Sequence, residues 1–226
     1  MPESEDIARS RLAADYKRIT SAEYSKRWAL SNPGNRAMLS ERDAVLTSLS
    51  HGLLPTRPLS ILDVGCGSLS ILPDVIEIDI RIGVDLLFGR LANLSGVIPA
   101  VNADGAHLPF PDACFDVVVL STMMTSVLDA GVRQLVADEV TRVLRPGGAM
   151  LWYDMRMPNP MNSATRAIRR AELRRLFPTL TGEVRSLTVV PFVARRLGGF
   201  GQRAYALLRR VPLLRSHLAA CLVKTS

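Results

Sequence analysis

Short, nearly unbroken apolar runs recur along the middle of the chain, at 59–64, 80–84, 97–101, 114–120 and 149–153. Each has the length of a strand and lacks the alternation of a half-exposed one, the pattern of a parallel sheet covered on both faces. Amphipathic stretches at 36–49, 88–93 and 132–144 precede and separate them with the period of a helix. Strands alternating with helices predict an α/β fold with right-handed crossovers and helices on both faces. Residues 7–30 are polar with scattered apolar and aromatic positions, among them Tyr16, Tyr24 and Trp28, and predict one or two helices ending at Ser31-Asn32-Pro33-Gly34. The chain thus divides into an N-terminal helical cap, 1–50, and an α/β domain, 51–226.

The last third has a different texture. Residues 165–177 predict a basic helix, while the β-branched run 183–190 and the apolar run 217–223 predict two further strands. Between them, in 191–215, Leu197, Phe200, Tyr205, Leu207, Val211 and Leu213 are interspersed with arginines, which predicts an amphipathic, partly helical insertion.

Charge follows the same division. The net charge is +7, but residues 1–155 hold 14 Lys+Arg against 19 Asp+Glu, and residues 156–226 hold 14 against Glu172 and Glu183 alone. A +12 segment dominated by arginine points to a polyanion, whether phosphate, nucleic acid or an anionic membrane face, or to a heavily solvated set of helix faces. Three cysteines, Cys66, Cys114 and Cys221, have neither zinc-ligand nor disulfide-framework spacing, so no metal is expected. The acidic start is unlike a signal peptide, and no run approaches the ~18 apolar residues of a membrane span. The expectation is a cytoplasmic protein, peripheral at the inner face of the membrane if the basic insertion meets lipid.

In an open parallel sheet a ligand sits outside the carboxyl ends of the strands, so the residues just after each apolar run carry the chemistry. The first run ends in Asp63-Val64-Gly65-Cys66-Gly67, a glycine turn that lets backbone approach a ligand. The second ends in Asp85, 18 residues beyond Gly67, near the ~20 expected of an acid that binds a ribose diol. A nucleoside-containing cofactor follows. NAD is disfavoured because Ser70 stands at the third position of G-x-G-x-x-G and because Asp63 is awkward beside a pyrophosphate. S-adenosylmethionine, which carries an ammonium group, suits Asp63 better. Asp104, after the third run, is placed to accept adenine amino hydrogens.

These residues resemble the class I S-adenosylmethionine-dependent methyltransferases, of the type 11-like branch. The resemblance is carried by Leu62-Asp63-Val64-Gly65-Cys66-Gly67, Gly83-Val84-Asp85, Leu108-Pro109-Phe110-Pro111-Asp112, Phe115-Asp116-Val117-Val118 and Leu144-Arg145-Pro146-Gly147-Gly148, five motifs in order over about residues 59–154, with Asp104 between the second and third. It implies a Rossmann-like, seven-stranded, mostly parallel sheet with a final antiparallel hairpin, and S-adenosylmethionine as cofactor. It also implies that Asp63 and Gly65 hold the methionine end, Asp85 the ribose, and Asp104 with the Gly105 backbone the adenine. Gly67 and Ser121 complete the cofactor set. Two positions depart from the pattern: Leu69 replaces the third glycine of the first motif, and Ser121-Thr122-Met123-Met124-Thr125-Ser126 brings no ionisable group after the fourth strand.

Methyl transfer is an in-line displacement that asks mainly for alignment and, with a hydroxyl acceptor, for removal of a proton. Asp154, at the end of the fifth run, is the first candidate for general base and His107 the second. Tyr153, Arg156 and Asn159 on the same side, with Tyr24 and Trp28 of a possible N-terminal lid, are candidates for holding the acceptor. A looser resemblance to methyltransferases of polysaccharide and glycolipid assembly, carried by Tyr153-Asp154-Met155-Arg156 and Arg169–Pro178, implies a sugar, glycan or secondary-metabolite hydroxyl as acceptor, anionic or lipid-linked. The competing readings are an RNA methyltransferase that uses the arginine-rich end, and a non-catalytic protein that keeps the fold. With 5% aromatics and no RNA-binding module, nucleic acid is the weaker partner.

Overall fold

The structure is a computed structural model and describes residues 29–67, 72, 76–94, 96–159, 162, 164–197 and 201–225. Helix α1 (Pro33–Ser50) leads into β1 (Leu59–Val64) and β2 (Ile78–Asp85), followed by the short α2 (Phe88–Leu91), a 3-10 turn at Ala92–Leu94 and β3 (Ala100–Asn102). Next come β4 (Phe115–Ser121), a 3-10 turn at Met124–Ser126, α3 (Ala130–Val143) and β5 (Leu144–Met155). The basic third contributes α4 (Arg170–Leu176), β6 (Leu180–Val189), α5 (Pro191–Ala194), α6 (Gly201–Leu208), a 3-10 turn at Pro212–Leu214 and β7 (Arg215–Lys224).

Seven strands form one sheet in the order β3-β2-β1-β4-β5-β7-β6. The first five pair in parallel, and β7 runs antiparallel between β5 and β6. This is the mostly parallel sheet with a closing antiparallel hairpin that the resemblance implied.

The alternation of each strand sends its side chains into two cores. On one face Leu62, Val118, Leu120, Met150 and Trp152 pack against Val136, Val140 and Val143 of α3 and Leu173 and Leu176 of α4. On the other, Ile61, Val117, Val119, Leu151 and Tyr153 pack against Leu46 and Leu49 of α1. Both faces are covered, which is why the central strands read as unbroken apolar runs.

Several strands extend beyond the expected runs, β5 most of all, from 144 instead of 149, and three further elements differ for reasons the structure shows. Helix α1 begins at Pro33 instead of near 36, because Asn32 caps it: its Oδ1 accepts from the Gly34 and Asn35 amides at 2.8 and 3.3 Å, and Pro33 occupies the first turn. The third strand is Ala100–Asn102 and not 97–101, leaving Val97 62% exposed in the preceding turn. The basic helix starts at Arg170, because residues before it donate across the fold: the Arg166 amide to the Thr125 carbonyl and the Ile168 amide to the Met155 carbonyl. The expectations at Tyr24, Trp28, Leu69 and Ser70 lie outside the described residues, as does most of the N-terminal cap.

Candidate active site

Strand order reverses at β1, which has β2 on one side and β4 on the other; the crevice at their carboxyl ends is the switch point of the sheet. The turn that leaves β1 there is left-handed at two residues, Gly65 (φ +69°) and Gly67 (φ +53°), conformations that cost a side-chain-bearing residue energy. The Gly65 and Cys66 amides both donate to the Val84 carbonyl, at 2.7 and 3.0 Å, folding the turn back onto β2. Asp85 fixes it from the other side. One carboxylate oxygen accepts from the Gly67 amide and the other from the Leu87 amide, each at 2.9 Å, with Arg90 4.0 Å away. Each oxygen keeps acceptor capacity for a further hydroxyl.

Asp63 is placed differently from expectation. It is fully buried and ion-paired with Arg81, itself buried, on the adjacent strand. A carboxylate taken wholly out of water needs such a partner, so Asp63 anchors β1 to β2 and its charge is met by arginine in place of a ligand ammonium. The signal in the sequence was Arg81 itself, a cation inside the apolar run 80–84. Cys66 lies under the turn, its thiol pushed up to about 12 by burial first and then by Asp63 and Asp85. It is a packing group, not a nucleophile.

The loop after β3 forms the next wall. Asp104 is half-buried and accepts from the Ala106 amide at 2.9 Å, closing a tight turn that contains Gly105. The Asn102 side chain donates through Nδ2 to the carbonyls of Asp85 and Leu86, tying this loop to the end of β2. Residues 108–112 are buttressed from α3: Glu139 accepts from the Leu108 amide, and Arg142 reaches Leu108, Phe110, Asp112 and Glu139. His107 is exposed on this loop, next to Leu108, whose amide Glu139 of α3 holds. This position does not suit a general base.

Met123, which sequence reasoning did not single out, spans the crevice. A side chain at Gly65 would come within 2.2 Å of Met123 Cγ, and one at Gly105 within 3.6 Å of its Cε. The thioether therefore lies between the two glycines that frame the crevice. Next to it Thr122 takes a left-handed conformation (φ +53°), with its amide donating to the Tyr153 carbonyl at 2.7 Å. A β-branched residue so placed is strained, and strain of this kind collects at functional sites. Ser121 closes β4, half-buried and paired with Tyr153.

The end of β5 corrects several expectations. Asp154 is buried and accepts from Thr125 Oγ1 at 2.6 Å, the Thr125 amide at 3.1 Å and the Met155 amide at 2.8 Å. Burial lifts its carboxyl to about 6, against the pull of these donors. It pins the Met124–Ser126 turn to β5 and does not open on the crevice. Tyr153 is buried too, its hydroxyl within 2.9 Å of Thr188 Oγ1 and its ring stacked on His217, centroids 4.8 Å apart. The Arg42 guanidinium lies over the same ring at 5.6 Å. Arg156 donates to the backbone carbonyls of Arg215 and Pro212, at 2.6 and 3.2 Å, and so clamps the insertion to β5 rather than offering a grip for an acceptor. Asn159 is half-buried in the loop beyond β5.

One motif residue is structural. Asp116 accepts from Arg57, Arg145, Ser60 Oγ and the Ser60 amide, at the end of the sheet opposite the crevice. Those donors outweigh its burial and hold its carboxyl well below the usual range.

Comparison with known proteins agrees with this geometry. Residues 62–152 match the family described as a methyltransferase domain. A ubiquinone/menaquinone biosynthesis C-methyltransferase, UbiE, of Pseudomonas putida is 34% identical over 90 residues, 39% of this chain and 32% of the relative; its Cellvibrio japonicus counterpart is 31% identical over 96 residues, 42% and 36%. The chain thus spans about a third of the length of the curated relatives it matches. Among solved structures, the Burkholderia thailandensis 1,6-didemethyltoxoflavin-N1-methyltransferase superposes with a TM-score of 0.63 at 16% identity, covering 100% of this chain and 93% of that one. The N-methyltransferase NodS of Bradyrhizobium japonicum gives 0.59 at 14%, covering 84% and 97%. Residues 62–152 thus match the methyltransferase-domain family, and the chain as a whole has the seven-stranded α/β fold of these solved methyltransferases.

Proposed function

We propose that the chain transfers a methyl group from S-adenosylmethionine to a small-molecule acceptor at the ends of β4 and β5. The observation that carries this reading is Asp85 joined to both the glycine turn and Leu87, with the Asn102 side chain tying its backbone to the loop that bears Asp104 and Gly105. These groups fit the cofactor. Asp85 accepts the ribose hydroxyls, the turn at Gly65 and Gly67 bears the methionine portion on backbone, and Asp104 with the Gly105 amide reads the adenine edge. The cofactor, when bound, supplies an activated methyl on a sulfonium. Met123 forms the apolar wall that keeps water from the transfer path, and its three rotatable bonds let it adapt to a ligand.

The acceptor side is polar at its rim, where Ser121 and Asn159 orient the incoming group. We assign Asp154 the role of positioning residue, which holds the turn carrying Met124 and Thr125 against β5. The acceptor we favour is a hydroxyl of a sugar, glycan, glycolipid or secondary metabolite, in keeping with the arginine-rich flank. The relatives named as C- and N-methyltransferases define the competing nucleophiles. The test is methyl transfer from labelled S-adenosylmethionine to panels of hydroxyl, amine, quinone and RNA acceptors. Labelled O-methyl product supports the acceptor class, transfer to carbon, nitrogen or RNA replaces it, and cofactor binding without transfer to any acceptor favours a non-catalytic role.

A further inference from the structure

Far from the crevice, the outer edge of the sheet at β6 carries a groove of about 470 Å³ lined by five arginines, Arg170, Arg185, Arg209, Arg210 and Arg215. Its two acids are already engaged: Glu41 accepts from the Tyr205 hydroxyl and the Thr188 amide, and Glu183 holds Arg185 through two bonds of 2.7 Å. Among the described residues, the guanidinium groups of Arg209 and Arg210 form no hydrogen bond or ion pair, while Arg170 shares the charge of Glu183 with Arg185. A groove with two uncommitted guanidinium groups and five arginines against two acids is suited to phosphate.

The chain beside it adds a second feature. From 191 to 215 there are six arginines and no acid. Interspersed with them, Phe192, Leu207, Val211 and Leu213 are 56%, 64%, 42% and 80% exposed. These apolar groups stand on a fixed support, because Tyr205 of α6 is buried against α1 and hydrogen-bonds Glu41. Exposed aliphatic side chains alternating with arginine match the interface of an anionic bilayer, where the side chains enter the acyl boundary and the cations meet headgroup phosphates. RNA shares the phosphates but asks for several stacking platforms, and of these four exposed groups Phe192 alone is aromatic, its ring already covered by Arg196. We propose that this edge of the molecule docks on anionic lipid, with the groove between α4, β6 and the 209–215 segment receiving lipid phosphate.

The test is co-sedimentation of the full chain with vesicles of phosphatidylcholine alone and of phosphatidylcholine mixed with phosphatidylglycerol. The probes are the variants Arg209→Glu/Arg210→Glu, Arg170→Glu and Leu207→Ser/Leu213→Ser, all at exposed positions. Binding to the anionic vesicles only is expected, with partitioning reduced roughly tenfold or more by the double charge reversal. Smaller losses are expected for the other two variants. Titration with S-adenosylmethionine, read in parallel, is unchanged in all three, so failure of docking and failure of the methyltransferase reading are separate results. No sedimentation with anionic vesicles, equal binding to both vesicle types, or binding undiminished by both Arg209→Glu/Arg210→Glu and Arg170→Glu would overturn the proposal. So would tight binding of RNA by a chain that ignores the vesicles.

Discussion

At the scale of single residues, Asp85 and Gly65 carry the cofactor assignment. Replacing Asp85 with Ala removes the acceptor for ribose hydroxyls and the tie between two loops, so S-adenosylmethionine affinity is expected to fall by about 1.5–3 kcal/mol, read by calorimetric titration. Gly65→Ala meets two obstacles, the positive φ and Met123 Cγ at 2.2 Å, and is expected to abolish binding. An unchanged affinity in either variant would remove that residue from the site. A third prediction concerns two buried groups of opposite sign. Burial and the neighbouring Arg42 push His217 down to about 3, so between the unfolded value near 6.5 and about 3 the unfolded chain takes up a proton that the folded chain refuses. Its contribution therefore destabilises as pH falls. Asp154, raised to about 6, binds its proton first in the folded chain, so its contribution is present at low pH and is lost as pH rises through about 6. The two oppose each other between about pH 4 and 6. Relative to the parent, His217→Phe should gain stability on going from about pH 7 to about pH 4.5, by up to about 1.4 kcal/mol per pH unit, in urea unfolding. A parallel pH dependence of the two would contradict the neutral, buried histidine. The placement of Gly65, Gly67, Asp85 and Asp104 at the ends of β1, β2 and β3 was legible in the sequence, because it follows from spacing along the chain. The roles of Arg81, Met123 and Asp154 depend on what lies across a strand or beneath a turn, which spacing does not encode.

At the scale of elements, the five parallel strands were legible because burial on both faces leaves a continuous apolar run, and only the third, short and at the sheet edge, was displaced. The start of α1 was hidden because Asn32-Pro33-Gly34 reads equally as the end of one helix and the start of the next; the cap bonds of Asn32 decide it. The start of α4 was hidden because 165–169 spends backbone donors on partners distant in sequence. The Met124–Ser126 turn gives a test. If Asp154 holds that turn, Asp154→Asn should cost about 1–3 kcal/mol of stability and lower turnover, while the pH profile of turnover keeps its shape. Disappearance of the acidic limb of that profile, the fall in turnover as pH drops through about 6, with stability intact, would restore Asp154 as a general base.

At the scale of the whole molecule, the division of charge seen in the sequence maps onto the sheet. The acidic two-thirds builds α1 to β5 with the crevice, and the basic third supplies α4, the β6–β7 hairpin and the segment between those strands, with β7 two and β6 three strand positions beyond β4. Among the described residues, no helix is long and apolar enough to cross a membrane. Cofactor binding in the crevice is tested most directly by calorimetric titration with S-adenosylmethionine and S-adenosylhomocysteine, with NAD as control. Saturable binding of the first two, absent for NAD and weakened by Asp85→Ala, is the predicted result. Failure of the folded protein to bind either, or equal binding of NAD, would contradict it.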